Sequence, residues 1–547
     1  MGDIESDIDS LPSRIASLVH NHFDGLPKRS KPNIRDDGTA EWIPMTGIVL
    51  AKGENTPSET LTCITVTTGA KCLPASQIPL CKGLVLHDSH AEILAMRAFN
   101  FWLLSECHSY FSLEKGSPDP NTSGDREGPI SPYIRRRKHV QVQPQPSNEE
   151  GKERAVPGPP FEIHPDIKIY MYCTCAPCGD ASMELVMAAQ DDPTPWEIPP
   201  PASTPQPQPQ SQHPLPGRSY FSTLGTVRRK PSRADAEATK SKSCSDKLSL
   251  RQVSSLLNYE TSLLVAVTGN AYLAGVVLPE EEISGVGVER CFGISGRMSG
   301  LRGREWVGGG GNGAGSEVEG QKVYAFRPFS ILSIPNRQLK SLWPFRKPRV
   351  TDPTPIPVPT PAEENTQPAQ PTGPRKPKPG NISAIWIRAP TTFPTDSTST
   401  VISDTGSKTL PVLRGSKTGL FENIINGVRQ GHRVSSPGGR GASALSRAKM
   451  WGFCREVVMA SSSLQGGGST KDGGVDCDHE ESDGLKPALQ ASTYREFKKE
   501  PMVVTEGIRA RKSAIQAAKE VLQGWVPNSG DEDWGLEVLV DLKKRKR

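Results

Sequence analysis

Leu86-His87-Asp88-Ser89-His90-Ala91-Glu92 opens an apolar-periodic run that reaches about Leu104, and its reading decides the fold. Leu94, Ala98, Phe101 and Trp102 recur at i, i+4, i+7 and i+8. The spacing predicts a helix starting near Ser89 whose apolar face packs on a sheet. Ser89-His90-Ala91-Glu92 also fits the S-x-x-E capping box, in which the glutamate bonds back to the serine amide. Taken alone, a histidine two residues before a glutamate is common, and the cap is the better reading.

Working outward, Gly83 to Leu86 reads as a short β-type segment leading into that helix, and Trp42 to Leu50 and Leu61 to Thr67 read as strands. Leu11, Ile15, Leu18, Val19 and Phe23 give a short amphipathic helix over 11–24. Downstream, Ile167 to Cys173 reads as a strand and Ala181 to Ala189 as a helix. Ser254 to Leu273 is helix-like and then strand-like, Ile382 to Ile387 is a strand, and Ala442 to Met459 is a helix. Thr493 to Trp525 is helical in pattern. This alternation predicts an α/β layered core, a mixed sheet flanked by helices, with a C-terminal helical extension.

The 547 residues include 51 Pro and 51 Gly, with only 35% hydrophobic and 6% aromatic residues. That composition cannot fill the whole length with packed core. The expected organisation is an N-terminal helical segment over 1–40, one folded unit over 41–535 and a basic tail over 536–547. Disordered insertions are expected at 115–160, 191–217, 308–316, 351–380, 391–410 and 461–485. Basic clusters stand at Arg135-Arg136-Arg137-Lys138 and Lys543-Lys544-Arg545-Lys546-Arg547. They suit either nucleic-acid phosphates or nuclear import. A net charge of +5 is compatible with a nucleic-acid partner without demanding one. No stretch approaches the roughly 18 apolar residues of a membrane span, and the acidic N-terminus lacks a signal-peptide core. An intracellular soluble protein of nucleus or cytoplasm is expected, its 11 Cys being thiols or metal ligands.

Pro177-Cys178-Gly179-Asp180, just after the Ile167 to Cys173 strand, changes the reading of the opening stretch. A His-x-Glu followed by a Pro-Cys turn is the pattern of zinc deaminases: one imidazole and two thiolates hold Zn²⁺, and the glutamate moves protons. His90 and Cys178 are then ligands and Glu92 the proton carrier. The third ligand is open. The compact pattern P-C-x-x-C places it at 181, which is Ala181. Local spacing favours Cys175, in Cys175-Ala176-Pro177-Cys178; Cys244, in Ser243-Cys244-Ser245-Asp246-Lys247, is the alternative. Cys173 reads as a packing residue.

Together, His90-Ala91-Glu92, Pro177-Cys178-Gly179-Asp180-Ala181-Ser182 and Ser243-Cys244-Ser245-Asp246-Lys247 resemble the deaminase domain of the RNA-editing adenosine deaminases. Thr68-Gly69-Ala70-Lys71-Cys72, Lys230-Pro231-Ser232-Arg233-Ala234-Asp235 and Arg440-Gly441-Ala442-Ser443-Ala444-Leu445 extend the resemblance across most of the chain. It implies a cytidine-deaminase-like fold, and it makes Cys244 the third zinc ligand. It further implies a buried inositol hexakisphosphate held by Asp88, Arg97, Lys247, Tyr494, Lys498 and Lys519, with Trp525 nearby. Where relatives carry two arginines and Arg-Trp, this chain has Met96-Arg97 and Leu250-Arg251. Lys71 matches a position beside the flipped nucleotide. The first core strand near Trp42 leaves too little chain before it for a double-stranded-RNA-binding domain. The resemblance is then to the tRNA-acting members of the family, and it implies tRNA as the substrate, with adenosine converted to inosine at position 37 of alanine tRNA. No obligate protein partner is inferred. Deamination of another RNA and a catalytically inactive RNA-binding scaffold are the competing readings, and the four intact residues His90, Glu92, Cys178 and Cys244 speak against the scaffold.

Overall fold

Strand residues that alternate between two apolar sets give this chain a sheet with a core on each face. The computed structural model describes residues 9–34, 40–115, 131–137, 158–189, 194, 215–216, 222–230, 237–307, 323–347, 378–391, 413–462, 485–499, 501 and 505–540. In chain order it opens with α1 (Leu11–Asp24), the hairpin β1 (Met45–Lys52) and β2 (Thr60–Thr68), and two short strands, β3 (Ala70–Cys72) and β4 (Asp88–His90). The 25-residue α2 (Ala91–Lys115) follows. Then come β5 (Ile134–Arg136), β6 (Phe161–Ile163), β7 (Ile167–Cys173), α3 (Met183–Ala188) and α4 (Cys244–Ser254). The next elements are β8 (Leu273–Pro279), α5 (Gly285–Phe292), β9 (Ser330–Ile334), α6 (Asn336–Leu342), β10 (Ser383–Ile387) and β11 (Leu420–Ile425). Towards the C-terminus stand α7 (Arg447–Ser462), α8 (Tyr494–Lys498) and α9 (Glu506–Val521), with a short helical turn at Lys486–Gln490 between α7 and α8.

The main sheet runs β9-β8-β7-β1-β2-β10-β11. β7, β8 and β9 are mutually parallel, whereas β1 lies antiparallel to both β7 and β2, and β10 to both β2 and β11. The expected mixed α/β sheet is present. One face carries Ile48, Leu50, Ile169, Met171, Ile385 and Ile387 against α2. The other carries Val49, Ala51, Tyr170, Tyr172 and Trp386 against α1, through Ile15, Val19 and Phe23.

α2 departs from the expected single apolar face. Leu94, Ala95, Met96, Ala98, Phe99, Phe101, Trp102, Leu103 and Leu104 are all buried, because the helix packs on the sheet on one side and on α7 on another. A helix apolar on all sides is a core helix. It is the axle on which the site is mounted.

Three local expectations are corrected. Gly83 to Leu86 forms no strand: the strand is Asp88–His90 and the helix starts at Ala91. Ser89 faces Lys71 in an antiparallel ladder, and the Thr67 hydroxyl donates to the Ala91 carbonyl, so strand pairing replaces the capping box. Part of the 115–160 stretch is ordered. Tyr133 and Ile134 are buried, β5 pairs with β6, and Arg135 meets Glu162 at 2.6 Å, so two apolar side chains anchor this basic cluster to the core. The C-terminal helical region is two helices, with Pro501 between them. The expected insertions at 191–217, 308–316, 351–380, 391–410 and 461–485 lie outside the described residues, apart from a few flanking positions, as do the cations at 543–547. No described helix is long and apolar enough to cross a membrane.

The last described segment straps the stretch that leads into β4 and α2. Asp531 accepts from the Gly83 amide at 2.8 Å and pairs with His87 Nε2 at 3.0 Å, while Arg447 donates to its carbonyl. Tyr494 stacks on Trp534 with ring centroids 4.6 Å apart.

Phe23 packs edge-to-face on Trp343 at 4.8 Å, on the face away from α2. Phe23→Ala is expected to destabilise the fold by about 3–5 kcal/mol in urea unfolding without altering metal content.

Candidate active site

The β3–β4 ladder pairs Ala70 with His90, Lys71 with Ser89 and Cys72 with Asp88, fixing the histidine at the end of a strand and at the mouth of α2. Glu92 sits in the first turn of that helix and is 4% exposed. Cys178 lies in the turn after β7. Gly179 there has φ 110°, and an added Cβ would lie 2.2 Å from the Ser243 hydroxyl, so only glycine lets the two cysteine-bearing turns approach. Cys244 opens α4, whose N-cap Ser243 accepts from the Asp246 amide. Ser245 ties the turns together: its amide donates to the Cys178 carbonyl at 3.0 Å, and its hydroxyl accepts from the Ala181 amide.

These elements converge on three ligand atoms. The Cys178 and Cys244 sulfurs lie 3.7 and 3.6 Å from His90 Nδ1, and the three atoms are within 4.8 Å of one another. They could hold a metal ion. Cys175, favoured by local spacing, is in no such group among the described residues. Cys173 is buried on β7 and accepts from the Thr46 hydroxyl, a packing residue as expected. Cys72–Asp88–His90 and Cys81–His87–Asp531 also gather, but lysines already answer Asp88, and Arg447 lies against Asp531. The Cys178–Cys244–His90 group is therefore the one suited to a soft cation.

Electrostatics agree. Burial and the Lys230 ammonium push the His90 imidazole down, yet the Cys178 and Cys72 sulfurs outweigh them and hold it at about 10. A hydrogen bond from the Cys244 thiol, helped by Lys230 and His90, holds Cys178 well below the usual thiol range. A pocket that favours a proton on its imidazole so strongly suits a metal cation as well. Burial, then the Cys178 charge, raises the Glu92 carboxyl above the ordinary carboxylate range.

Lys230 is the participant whose role the sequence left unassigned. Its buried ammonium donates to Asp88 at 2.9 Å and to the Cys244 sulfur at 3.2 Å. Asp88 also accepts from Ser241 at 2.6 Å and from Lys247. Burial alone would raise the Asp88 carboxyl, but Lys230 and Lys247 hold it well below the usual range. Lys71 is half-buried in the β3–β4 ladder beside His90.

The other cationic residues form a second assembly behind the first. Arg97 donates to the Leu445 carbonyl, Arg251 to the Ser255 and Leu257 carbonyls, and Arg511 to the Ser254 carbonyl. Lys498 donates to Tyr494 Oη at 3.0 Å. Few carboxylates oppose them: Glu260, and Asp88 for Arg97. Burial and then the neighbouring Arg511 and Arg97 push Arg251 down to about 9; burial and nearby arginines push Lys498 to about 8. Lys519 and Lys242 stand together at one side, with Lys242 5.3 Å above the Trp525 ring. Arg251, Arg511 and Lys242 join the residues named from the sequence; no spacing signature marks them.

Comparison with known proteins follows the same line. The adenosine-deaminase (editase) domain profile matches residues 65–123, which include His90 and Glu92. The tRNA-specific adenosine deaminase 1 of Schizosaccharomyces pombe is 33% identical over 331 residues, 60% of this chain and 69% of that protein. The chain belongs to the adenosine-deaminase (editase) family. The Saccharomyces cerevisiae protein of the same name is 31% identical over 250 residues, 46% of this chain and 54% of that protein. A mouse double-stranded RNA-specific editase B2 is 29% identical over 137 residues, 25% of this chain and 14% of that protein.

Cysteine exchange tests the ligand triad. Cys178→Ala and Cys244→Ala are expected to lose bound metal, and Cys175→Ala to keep it, by elemental analysis of protein purified in parallel.

Proposed function

We propose that the protein is a zinc-dependent tRNA adenosine deaminase, converting adenosine to inosine at position 37 of alanine tRNA. The observation that carries this reading is the convergence of the Cys178 and Cys244 sulfurs on His90 Nδ1, with buried Glu92 beside them. The names of the two yeast relatives support tRNA as the substrate.

His90, Cys178 and Cys244 would hold the zinc, which when bound makes a water acidic enough to lose its proton near neutral pH. Glu92, kept dry and with a raised pKa, takes that proton and delivers it to N1 of the adenine ring as oxygen adds at C6. Glu92 next takes the proton of the new C6 hydroxyl and hands it to the amine as the C6–N bond breaks and the C6=O bond forms, and ammonia leaves. Water and adenosine become inosine and ammonia, with Glu92 restored. Lys230 stabilises the Cys244 sulfur and, through Asp88, the strand that presents His90. The base must leave its stack to reach this depth, at about a few kcal/mol, less from a tRNA loop than from a duplex.

Inositol hexakisphosphate fits the second assembly. Arg97, Arg251, Lys498 and Arg511 converge with few carboxylates, the arginines turned to backbone carbonyls and Lys498 to the Tyr494 hydroxyl. The Ser254 and Tyr259 hydroxyls are buried there without hydrogen-bond partners. Buried like charges of this number are tolerable only around an anion. Tyr494, Lys247 and Lys519 would complete the donor set.

Glu92→Ala is expected to lower inosine formation on alanine tRNA by roughly 10²–10⁴ with tRNA binding intact; activity close to wild type would sink the mechanism. Mass spectrometry of the denatured protein should release inositol hexakisphosphate. A lysine at about 8 in the fold and 10.5 when unfolded weakens the fold fully below pH 8, and the effect fades as pH rises towards 10.5. Protein stripped of polyanion should therefore gain melting temperature between pH 8 and 10, and Lys498→Met should gain less.

A further inference from the structure

Two aspartates stand in matching places around the ligand triad. Asp180 follows Cys178 by two residues and Asp246 follows Cys244 by two, and both are fully buried. Each is met by an arginine from one short segment, α5 and the turn after it. Arg290 donates through Nε to Asp180 Oδ2 at 2.9 Å, to the Asp180 carbonyl at 2.9 Å and to Glu184 at 2.6 Å. Arg297 donates to Asp246 Oδ1 at 2.6 Å and to the Ser249 hydroxyl at 2.8 Å. The remaining carboxylate oxygens are filled as well: Asp180 Oδ1 by the Gly225 amide, Asp246 Oδ2 by the Ser243 hydroxyl and the Arg228 amide.

The two arginines are not independent. The Arg297 amide donates to the Arg290 carbonyl at 2.8 Å. The turn between them is closed by Gly296, where a Cβ would lie 2.4 Å from the Glu289 carbonyl oxygen. Their guanidinium groups are thus mounted on one rigid loop, with side chains 18% and 6% exposed. Each planar fork spans two or three acceptors at once, which a lysine ammonium on a flexible stem does not do.

We propose that Arg290 and Arg297 form a single brace that sets the distance between the Cys178 and Cys244 turns. They are positioning residues: neither touches the ligand atoms, and each acts through an aspartate two residues beyond a cysteine. Thiolates side by side repel each other, so their spacing has to be imposed from outside, and affinity for a metal depends on that spacing. The inference rests on the zinc reading of the triad.

The test uses full-length protein as purified, with its metal counted, and follows metal release to an excess chelator alongside kcat and KM on tRNA. Arg290→Lys and Arg297→Lys should each release metal roughly tenfold faster than wild type, with lower kcat and unchanged KM. The double variant should release it little faster than either single one, because one brace is broken only once. Phe23→Ala, weakened on the far face of the sheet, should release metal at the wild-type rate. Should the lysine variants fail to fold, Glu184→Ala and Ser249→Ala each remove one outer acceptor and should shift release in the same direction by less. Wild-type release rates and kcat in these variants, or a double variant whose effect is the product of the singles, would overturn the brace. Wild-type protein purified without metal would instead overturn the zinc reading beneath it.

Discussion

Two sulfurs and an imidazole nitrogen held within reach of one another, on side chains that are buried or half-buried, make the constraint that the surrounding structure has to satisfy. Sulfurs with thiolate character repel, and burial makes their charge costlier. The chain answers with charge in layers. Lys230 touches the Cys244 sulfur, Asp88 answers Lys230, and Lys247 and Ser241 answer Asp88. Replacing any member of this series by an apolar residue takes a partner from a buried neighbour, which is how a polar network inside a protein comes to specify one geometry. The glycine at 179 and the strand pairing at 88–90 are the backbone side of the same requirement.

Much of the architecture was legible because it is periodic. The β1 and β2 strands announce themselves by short runs rich in β-branched residues, and α1 by its 3.6-residue repeat. Asp88–His90 was not, since three residues carry too little pattern, and Ser89 with Glu92 imitates a helix cap. Tyr133 and Ile134 were hidden for another reason: two anchoring residues inside a polar stretch do not alter its average composition.

The site divides the same way. His90, Glu92 and Cys178 were found by short-range spacing, but spacing pointed to Cys175 for the third position, and only the resemblance pointed to Cys244, which the fold brings to His90 across 154 residues. Arg290 and Arg297 reach aspartates 110 and 51 residues away, and a lone arginine in a glycine-containing loop has no signature that names such a partner. Arg511 and Lys242 were equally silent. Their meaning comes from gathering in three dimensions with few opposing carboxylates, which a linear sequence does not display.

The strap from Asp531 to Gly83 and His87 joins groups 448 and 444 residues apart. It therefore sets an order of events in biosynthesis. The β3–β4 ladder and the start of α2 leave the ribosome early, yet the side chain that pins them arrives nearly last. At about 5–20 residues per second, roughly 20–90 s separate the two. Through that interval the histidine-bearing strand exists without its fastening. The centre built around it is consequently completed after synthesis has passed Asp531, rather than growing in step with the emerging chain.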